Sequence, residues 1–209
     1  MDKSVYIVGA GTYGEAMFEL AEMHGYKVKG FFDEDDEKQN EIILNSRVIG
    51  KFSELNKRDI KNKKFIVAIG NNKIRYEIMT TINDLGGRTP TLIHPKATIS
   101  PSAEIGKGVY IQANAYIWTK VQINDFSIIS PNVVIAHHTT VGKACLISTL
   151  TGVGASIKIG DRVFIGMGAT IVTGLKLITS DVTIGAGTLV LKDIREQGVY
   201  VGVPARKIK

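Results

Sequence analysis

Aliphatic residues recur at every sixth position through the second half of the chain. From Ile99 to Leu177, fourteen successive sixth positions hold isoleucine, valine or leucine. A seven-residue step then leads to Ile184, and Val190 resumes the period. Small or aliphatic residues also stand two positions before most of these aliphatics. A hexapeptide period of this length predicts a parallel β-helix.

Three hexads are expected to form one triangular coil of this β-helix. Residues eighteen positions apart then stack at about the 4.8 Å spacing of paired strands, and the recurring aliphatic side chain points into the prism. We expect roughly five coils between residues 99 and 190. Residues 193–209 are expected to cover one end or to contact a neighbouring molecule.

The first part of the chain alternates short apolar runs with amphipathic segments. Three apolar runs predict buried parallel strands, at positions 5–8, 28–32 and 65–69. Helical spacing of apolar residues predicts helices over 12–24 and 74–85. The polar segment 34–45 predicts a loop. Alternation of this kind is typical of an α/β unit with a parallel sheet.

These two patterns predict two domains, a Rossmann-like α/β domain over 1–92 and a β-helix domain with a C-terminal tail over 93–209. The composition fits both, since 44% of the residues are hydrophobic, only 7% are aromatic and 22 are glycine. Small and β-branched residues suit a narrow prism better than aromatic rings do.

Charge and cysteine content restrict the partners and the compartment. The net charge is +6, but no cluster of Lys and Arg is dense enough to predict nucleic-acid binding, whereas the phosphates of a small-molecule ligand would use this charge. The single cysteine, Cys145, is expected in the core and favours a reducing compartment. The apolar N-terminal run is too short for a signal peptide or a membrane span, so we expect a cytoplasmic protein without a membrane partner.

A glycine motif, G-x-G-x-x-G, directly follows the first predicted strand and opens the first predicted helix. It comprises Gly9, Gly11, Thr12, Tyr13 and Gly14. This context suits phosphate binding at a helix N-terminus. The alternative is that these glycines only form a tight turn. The α/β unit is short, which favours a single nucleotide over a dinucleotide.

Polar residues follow the other predicted strands of this domain. Asp33 ends the second strand, where a carboxylate binds a ribose hydroxyl in related folds, and Gly70 and Asn71 follow the third. Ligands of open α/β sheets lie at the carboxyl ends of the strands. We therefore take these residues as candidate substrate contacts.

Two of the four histidines are candidates for catalysis. His24 is expected on the surface near a helix end, and His94 is expected to be a structural joint between the domains. His137 and His138 follow an inward aliphatic by two and three residues, which places them on a coil corner. An imidazole there suits general-base work. The N–H of Ala155, eighteen residues after His137, is a candidate oxyanion donor. No spacing typical of metal ligands is evident.

Several motifs together resemble one bacterial family. They are VGAG-x-x-G at the start, Phe32-Asp33, Ala68-Ile69-Gly70-Asn71-Asn72, Ile93-His94-Pro95, the hexapeptide array with its corner histidine, and Gly202-Val203-Pro204-Ala205. The combination is similar to the bacterial sugar O-acyltransferases of the sialic-acid O-acetyltransferase family, which includes nucleotide-linked 4-amino-sugar N-acetyltransferases. The resemblance implies a left-handed β-helix, a homotrimer, acetyl-CoA bound between neighbouring helices, and a sugar nucleotide held by the N-terminal domain.

The resemblance also implies roles for single residues. His137 matches the general base, and His138 stands where the N-acetyltransferase branch has glutamate. Leu146 and Tyr13 stand where that branch has further histidines. Four candidate contacts for the co-substrate acetyl-CoA are Ala155, Gly174, Pro204 and Arg206.

The expected function is acetyl-CoA-dependent acetylation of an amino or hydroxyl group of a sugar. The preferred acceptor is a UDP-, dTDP- or GDP-linked amino sugar of bacterial surface glycans. One alternative is O-acetylation of sialic acid or another free sugar, and another is a non-catalytic nucleotide-binding scaffold. The glycine motif alone would also suggest an NAD-dependent oxidoreductase, against which the hexapeptide array argues.

Overall fold

The computed structural model describes residues 3–209, and the chain divides into two compact units, Met1–Leu92 and Ile93–Lys209. In the described part of the chain, no helix has both the length and the apolar character needed to cross a membrane.

The first unit is an α/β sheet with five strands in the order β3-β4-β2-β1-β5. The strands are β1 (Ser4–Val8), β2 (Lys27–Phe32), β3 (Ile42–Ile43), β4 (Ser46–Gly50) and β5 (Phe65–Val67). The helices are α1 (Thr12–Met23), α2 (Lys57–Ile60) and α3 (Asn72–Asp84), with 3₁₀ turns at Asp36–Lys38 and Phe52–Glu54. Strands β1, β2, β4 and β5 pair in parallel, and β3 is antiparallel to β4.

Apolar residues at helical spacing attach α1 to the sheet. Met17, Phe18, Leu20 and Ala21 are buried, and the ring of Phe18 stacks on that of Phe31 with centroids 6.1 Å apart. Burial of each large apolar side chain contributes about 1.5–3 kcal/mol. This packing fixes the N-terminus of α1 at the carboxyl end of β1.

The sheet contains two strands that the sequence patterns did not predict. Residues 42–43 form β3 inside the segment expected to be a loop, and β4 follows after a turn in which Leu44 and Asn45 have positive φ. Val48 of β4 is buried beside β2 and gives the strand its anchor. Two- and five-residue strands carry too few positions to show a period above the surrounding polar residues.

The second unit is a parallel β-helix of short strands. They are β6 (Leu92–Ile93), β7 (Thr98–Ile99), β8 (Glu104–Ile105), β9 (Tyr110–Ile111), β10 (Tyr116–Ile117), β11 (Gln122–Ile123), β12 (Ile128–Ile129), β13 (Val134–Ile135), β14 (Thr140–Val141), β15 (Leu146–Ile147), β16 (Gly152–Val153), β17 (Lys158–Ile159), β18 (Phe164–Ile165), β19 (Thr170–Ile171), β20 (Leu177–Ile178), β21 (Val182–Ile184), β22 (Leu189–Val190), β23 (Gly198–Val201) and β24 (Arg206–Lys207). They form three sheets, in the orders β24-β23-β21-β18-β15-β12-β9-β6, β22-β19-β16-β13-β10-β7 and β20-β17-β14-β11-β8.

Residues eighteen positions apart pair in these sheets, as the hexapeptide period predicts. Ile135 lies opposite Ile117 on one side and Val153 on the other, and all three are buried in one continuous core. Each coil also pairs its backbone with the next, and the buried core inside the coils consists of Val, Ile, Leu, Ala and Cys side chains.

The seven-residue step lies earlier than the sequence pattern suggested. Ile178, not Leu177, pairs with Ile159 and is fully buried, so the extra residue falls between Ile171 and Ile178. A widened turn accommodates it, in which Gly174 has a φ of +105°. The sixfold count alone could not locate the insertion because positions 177 and 178 are both aliphatic.

The C-terminal segment pairs with the last coil. Strand β23 runs parallel to β21, and β24 turns back antiparallel to β23. The N–H of Ala205 also donates to the carbonyl of Leu189 at 2.8 Å. These hydrogen bonds give the terminal coil the backbone partners that a further coil would supply.

Candidate functional site

The glycine loop of the first unit contains two glycines that the fold itself requires. Gly9 has a φ of +103°, and a Cβ there would lie 2.7 Å from the carbonyl oxygen of Ala68. A Cβ on Gly14 would overlap the carbonyl oxygen of Gly9. Gly11 differs, because it has a φ of −95° and a Cβ there would meet no heavy atom within 4 Å. The tight-turn explanation therefore accounts for Gly9 and Gly14 but not for Gly11.

Gly11 is the N-cap residue of α1 and supplies no side-chain acceptor to the first turn of the helix. Thr12 is exposed there, and Tyr13 is half-buried. The start of a helix carries N–H groups and a partial positive charge that favour an anion. The absence of a side chain at Gly11 leaves room for a phosphate to approach the backbone.

Asp33 holds the glycine loop in place. Its Oδ2 accepts the N–H of Ala10 at 2.7 Å, its Oδ1 accepts the N–H of Asp35 at 3.0 Å, and Lys38 Nζ lies 3.4 Å from Oδ2. Burial favours the neutral acid, but the two backbone donors and the Lys38 ammonium outweigh it and hold the pKa of Asp33 below its usual value. The predicted ribose contact is thus also a structural carboxylate.

A cavity of about 230 Å³ opens beside this loop, within the first unit. Its lining is Val8, Gly9, Phe32, Asp33, Glu34, Ile69, Ile74 and Ile78. An apolar wall with few polar groups at one side is typical of small-molecule sites. Two of the predicted substrate contacts, Gly9 and Asp33, therefore meet at one cavity.

The loop after β5 depends on an arginine that the sequence patterns did not single out. Asn71 Oδ1 caps α3 by accepting the N–H groups of Lys73 and Ile74, both at 3.1 Å. The fully buried Arg75 donates to the carbonyls of Ile69 at 2.9 Å and Gly70 at 3.3 Å. The predicted contacts Gly70 and Asn71 thus belong to a loop whose backbone carbonyls are held by the guanidinium of Arg75. The sequence offered one signal for this role, since Arg75 shares a face of α3 with the apolar residues Met79 and Ile82.

In the second unit, His137 and His138 occupy the turn after β13, and both are exposed. Their Nδ1 atoms lie 3.1 Å apart, and the two rings are nearly perpendicular. The ring of Trp118, one coil earlier, lies 6.1 Å from that of His137 between centroids. Two neighbouring aromatic rings thus restrict the imidazole of His137 on an open corner.

The side chain of His137 departs from the pattern at other turns. At equivalent turn positions, the carboxylates of Asp125 and Asp161 accept the N–H groups of Lys107 and Lys143, one coil earlier, at 2.8 Å. Within residues 3–209, the His137 ring forms a hydrogen bond with His138 alone. Its imidazole is therefore not used to join the coils.

Successive turns stack into one edge of the β-helix, which we name the His137 corner. It comprises the turns at 119–120, 137–138, 155–156, 173–174 and 192–193. Ala155 therefore lies on the same corner as His137, as the sequence predicts, and Gly174 lies there too. The N–H of Ala155, however, donates to Thr173 Oγ1 at 3.2 Å. That hydrogen bond occupies the donor, so the predicted oxyanion role of this N–H is not supported.

The His137 corner ends at a cavity of about 320 Å³ near the C-terminus. Its lining is Val190, Leu191, Lys192, Asp193, Ile194, Tyr200, Pro204, Ala205 and Arg206. Lys192 lies on the corner itself, three coils from His137, or about 14 Å at the spacing of paired strands. The cavity combines apolar walls with the cationic side chains of Lys192 and Arg206. Pro204 and Arg206, predicted from the sequence, thus meet there, and Lys192 is an additional candidate.

The remaining predicted positions have structural roles. His24 is exposed and caps the C-terminus of α1. His94 Nδ1 accepts the N–H of Lys96 at 3.0 Å, a hydrogen bond local to the start of the second unit. Cys145 is fully buried, as expected, and its Sγ lies 3.1 Å from the carbonyl of Gly160. Among residues 3–209, no three His, Cys, Asp or Glu side chains gather as metal ligands would.

Two family profiles match the chain. The PglD N-terminal domain matches residues 4–82, and the bacterial transferase hexapeptide (six repeats) matches residues 102–137. Curated relatives match about half of the chain, among them a probable serine acetyltransferase of Oryza sativa, 41% identical over 113 residues and 52% of this chain. The chain spans less than half the length of the curated relatives it matches, and 33% of the rice protein.

Solved structures match the chain over nearly its whole length. PerB from Caulobacter crescentus, solved with CoA and GDP-perosamine, has a TM-score of 0.89 and 29% identity over 99% of this chain and 97% of its own. The acetyltransferase domain of PglB from Neisseria gonorrhoeae has a TM-score of 0.88 and 30% identity over 99% of this chain and 100% of its own. The predicted α/β domain followed by a left-handed parallel β-helix is thereby confirmed. The chain belongs to the hexapeptide-repeat sugar acetyltransferases that carry a PglD-type N-terminal domain.

Proposed function

We propose that this protein transfers an acetyl group from acetyl-CoA to the amino group of a nucleotide-linked sugar, in bacterial surface-glycan biosynthesis. The observation that carries the proposal is the His137 corner. One exposed imidazole, unused by the fold, lies on the same edge of the β-helix as a cavity with two cationic side chains.

The chemistry assigned to this corner needs one base and no covalent intermediate. Nε2 of His137 takes a proton from the amine as its nitrogen attacks the thioester carbonyl carbon. The carbon–sulfur bond then breaks, the CoA thiolate leaves, and the proton held by His137 is available to it. A positioned general base of this kind typically accelerates a reaction by about 10²–10⁴-fold.

The distance along the corner suits coenzyme A. Its linear pantetheine arm separates the reacting sulfur from the phosphates, and His137 and Lys192 are about 14 Å apart along the stacked coils. The second unit holds 12 Lys and Arg against six Asp and Glu, so the net charge of +6 belongs to it. We assign the phosphates to Lys192 and Arg206, and retain Ala155, Gly174 and Pro204 as proposed contacts of the arm.

The acceptor's nucleotide is assigned to the glycine loop of the first unit. Gly11 and the first turn of α1, with Thr12 and Tyr13, offer backbone N–H groups to its phosphates, and Gly70 and Asn71 border the same end of the sheet. The 230 Å³ cavity takes the adjoining part of the nucleotide, with Asp33 at its rim. PerB, a relative at 29% identity, was solved with both CoA and GDP-perosamine, which supports this pair of ligands.

A homotrimer is part of the proposal. The sheet that contains β13 exposes apolar side chains outward and along its edges, which suits contact with another copy. They are Tyr116, Trp118, Val134, Leu150 and Met167. The sheet that contains β14 instead points Glu104, Gln122 and Lys158 outward. Cyclic closure through the apolar face would bring a neighbour to the His137 corner. We propose a cytoplasmic location for the enzyme.

Release of the CoA thiol tests the proposal. The purified protein is incubated with acetyl-CoA and UDP-, dTDP- or GDP-linked amino sugars, and with sialic acid as the alternative acceptor. We expect thiol release with a nucleotide-linked amino sugar and a product heavier by one acetyl group. Release with sialic acid alone would shift the acceptor to a free sugar, and no release with any acceptor would contradict the proposed activity.

A further inference from the structure

We propose that His138 is a positioning residue that selects the tautomer of His137 by accepting a hydrogen bond at its own Nδ1. This inference rests on the proposed function, in which His137 is the base. The Nδ1 atoms of the two rings lie 3.1 Å apart, within hydrogen-bond distance, and both side chains are exposed.

A contact between two imidazole nitrogens needs one proton between them. A neutral imidazole has one N–H donor and one acceptor nitrogen. If His137 Nδ1 donates to His138 Nδ1, then Nε2 of His137 keeps a lone pair and is a competent base. If His138 donates instead, the proton of His137 lies on Nε2, and that atom accepts nothing. The productive arrangement therefore requires His138 to be the acceptor.

The same contact serves the charged state of His137. When Nε2 takes the proton of the acceptor amine, His137 becomes an imidazolium with an N–H on each nitrogen. Its Nδ1–H continues to donate to the neutral His138, and the hydrogen bond strengthens because its donor is now charged. No group has to move during the transfer, which is the condition for an effective positioning residue.

The backbone fixes where His138 holds this acceptor. His138 has a φ of +61°, the left-handed conformation that recurs at the second residue of the turns in this β-helix. Other residues in that conformation show what position 138 tolerates: Asn114, Asn132, Leu150 and Asp181. Asparagine and aspartate place an oxygen where histidine has Nδ1, whereas leucine has the same branched shape without an acceptor.

These precedents define a matched pair of variants. His138→Asn retains an acceptor at the δ position and His138→Leu removes it, while the turn accommodates both. We expect His138→Leu to lower kcat by about 10- to 100-fold with KM for acetyl-CoA within twofold, since general-base efficiency contributes about 10²–10⁴-fold in all. We expect His138→Asn to recover most of that loss. Equal losses in both variants, at equal melting temperature and molar mass, would overturn the proposal.

The tautomer is read independently of activity by ¹⁵N NMR of protein labelled in its four histidines, with the His137 signals assigned by their loss in His137→Ala. We expect wild-type protein and His138→Asn to show His137 protonated at Nδ1, and His138→Leu to lose that preference. Wild-type His137 protonated at Nε2 would refute the role of His138. Full activity in His137→Ala would instead contradict the proposed function, whatever the NMR result.

Discussion

Gly11→Val is the substitution that best separates ligand binding from folding in the first unit. The native φ of −95° is open to any L residue, and the added Cβ meets no heavy atom within 4 Å. Replacing glycine at a helix N-cap by an apolar residue costs about 1 kcal/mol. The variant should therefore fold, with a small decrease in melting temperature.

The expected loss of affinity follows from the same geometry. A valine at Gly11 occupies the space through which a phosphate would reach the first turn of α1. Hydrogen bonds to charged groups contribute about 1.5–3 kcal/mol each, so loss of one weakens nucleotide-sugar binding by about 10- to 150-fold. Calorimetric titration measures this directly, and acetyl-CoA serves as the control ligand because its proposed site is in the second unit.

A second glycine in the loop provides the contrast. A Cβ on Gly14 would overlap the carbonyl of Gly9, so Gly14→Ala should destabilise the first unit by about 1–3 kcal/mol through overpacking. Unchanged nucleotide-sugar affinity in a folded Gly11→Val protein would refute the reasoning and leave the glycine motif a turn. Loss of acetyl-CoA binding in the same variant would also contradict it.

Three further predictions concern charge and assembly. Because the pKa of Asp33 is held below its usual value, the carboxylate stabilises the fold above the unfolded-state pKa, and this stability is lost as pH falls through the folded-state pKa. Asp33→Asn should therefore unfold at a lower temperature than wild type at pH 7, and the difference in melting temperature should disappear below about pH 4. Equal melting temperatures at pH 7 would contradict this role of Asp33. Lys192→Gln should raise KM for acetyl-CoA several-fold without lowering kcat, and an unchanged KM would remove Lys192 from the phosphate site. Light scattering should give a molar mass about three times the chain mass of 22.7 kDa, and Val134→Asp, which places a charge on the apolar face, should lower that molar mass. A wild-type protein that is active as a monomer would contradict the trimer.

The β-helix could be predicted from the sequence because one inward-pointing aliphatic residue recurs in each of many hexads. Ile117, Ile135 and Val153 each fill the interior of a coil, so an aliphatic residue recurs at these positions although the residues between them vary. The same regularity concealed the insertion, since a choice between Leu177 and Ile178 depends on which side chain the coil below can accommodate. Local hydrophobicity does not distinguish them.

Only part of the candidate site could be predicted from the sequence. The position of His137 on a corner follows from its distance to Ile135, but its perpendicular contact with His138 depends on the orientation of the two rings, which the hexapeptide period does not encode. The hydrogen bond that occupies the Ala155 N–H depends on a hydroxyl eighteen residues later. The buried guanidinium of Arg75 likewise donates to a backbone carbonyl, that of Ile69, and the sequence pattern does not show where that carbonyl points.

The central claim is that the His137 corner carries acetyl transfer, and His137→Ala tests it most directly. The exposed ring contributes little to the fold, so the variant should keep the melting temperature, molar mass and acetyl-CoA affinity of the wild type. Its rate of CoA thiol release with the best nucleotide-linked amino sugar should fall by about 10²–10⁴-fold. Near wild-type turnover in the folded variant would contradict the account.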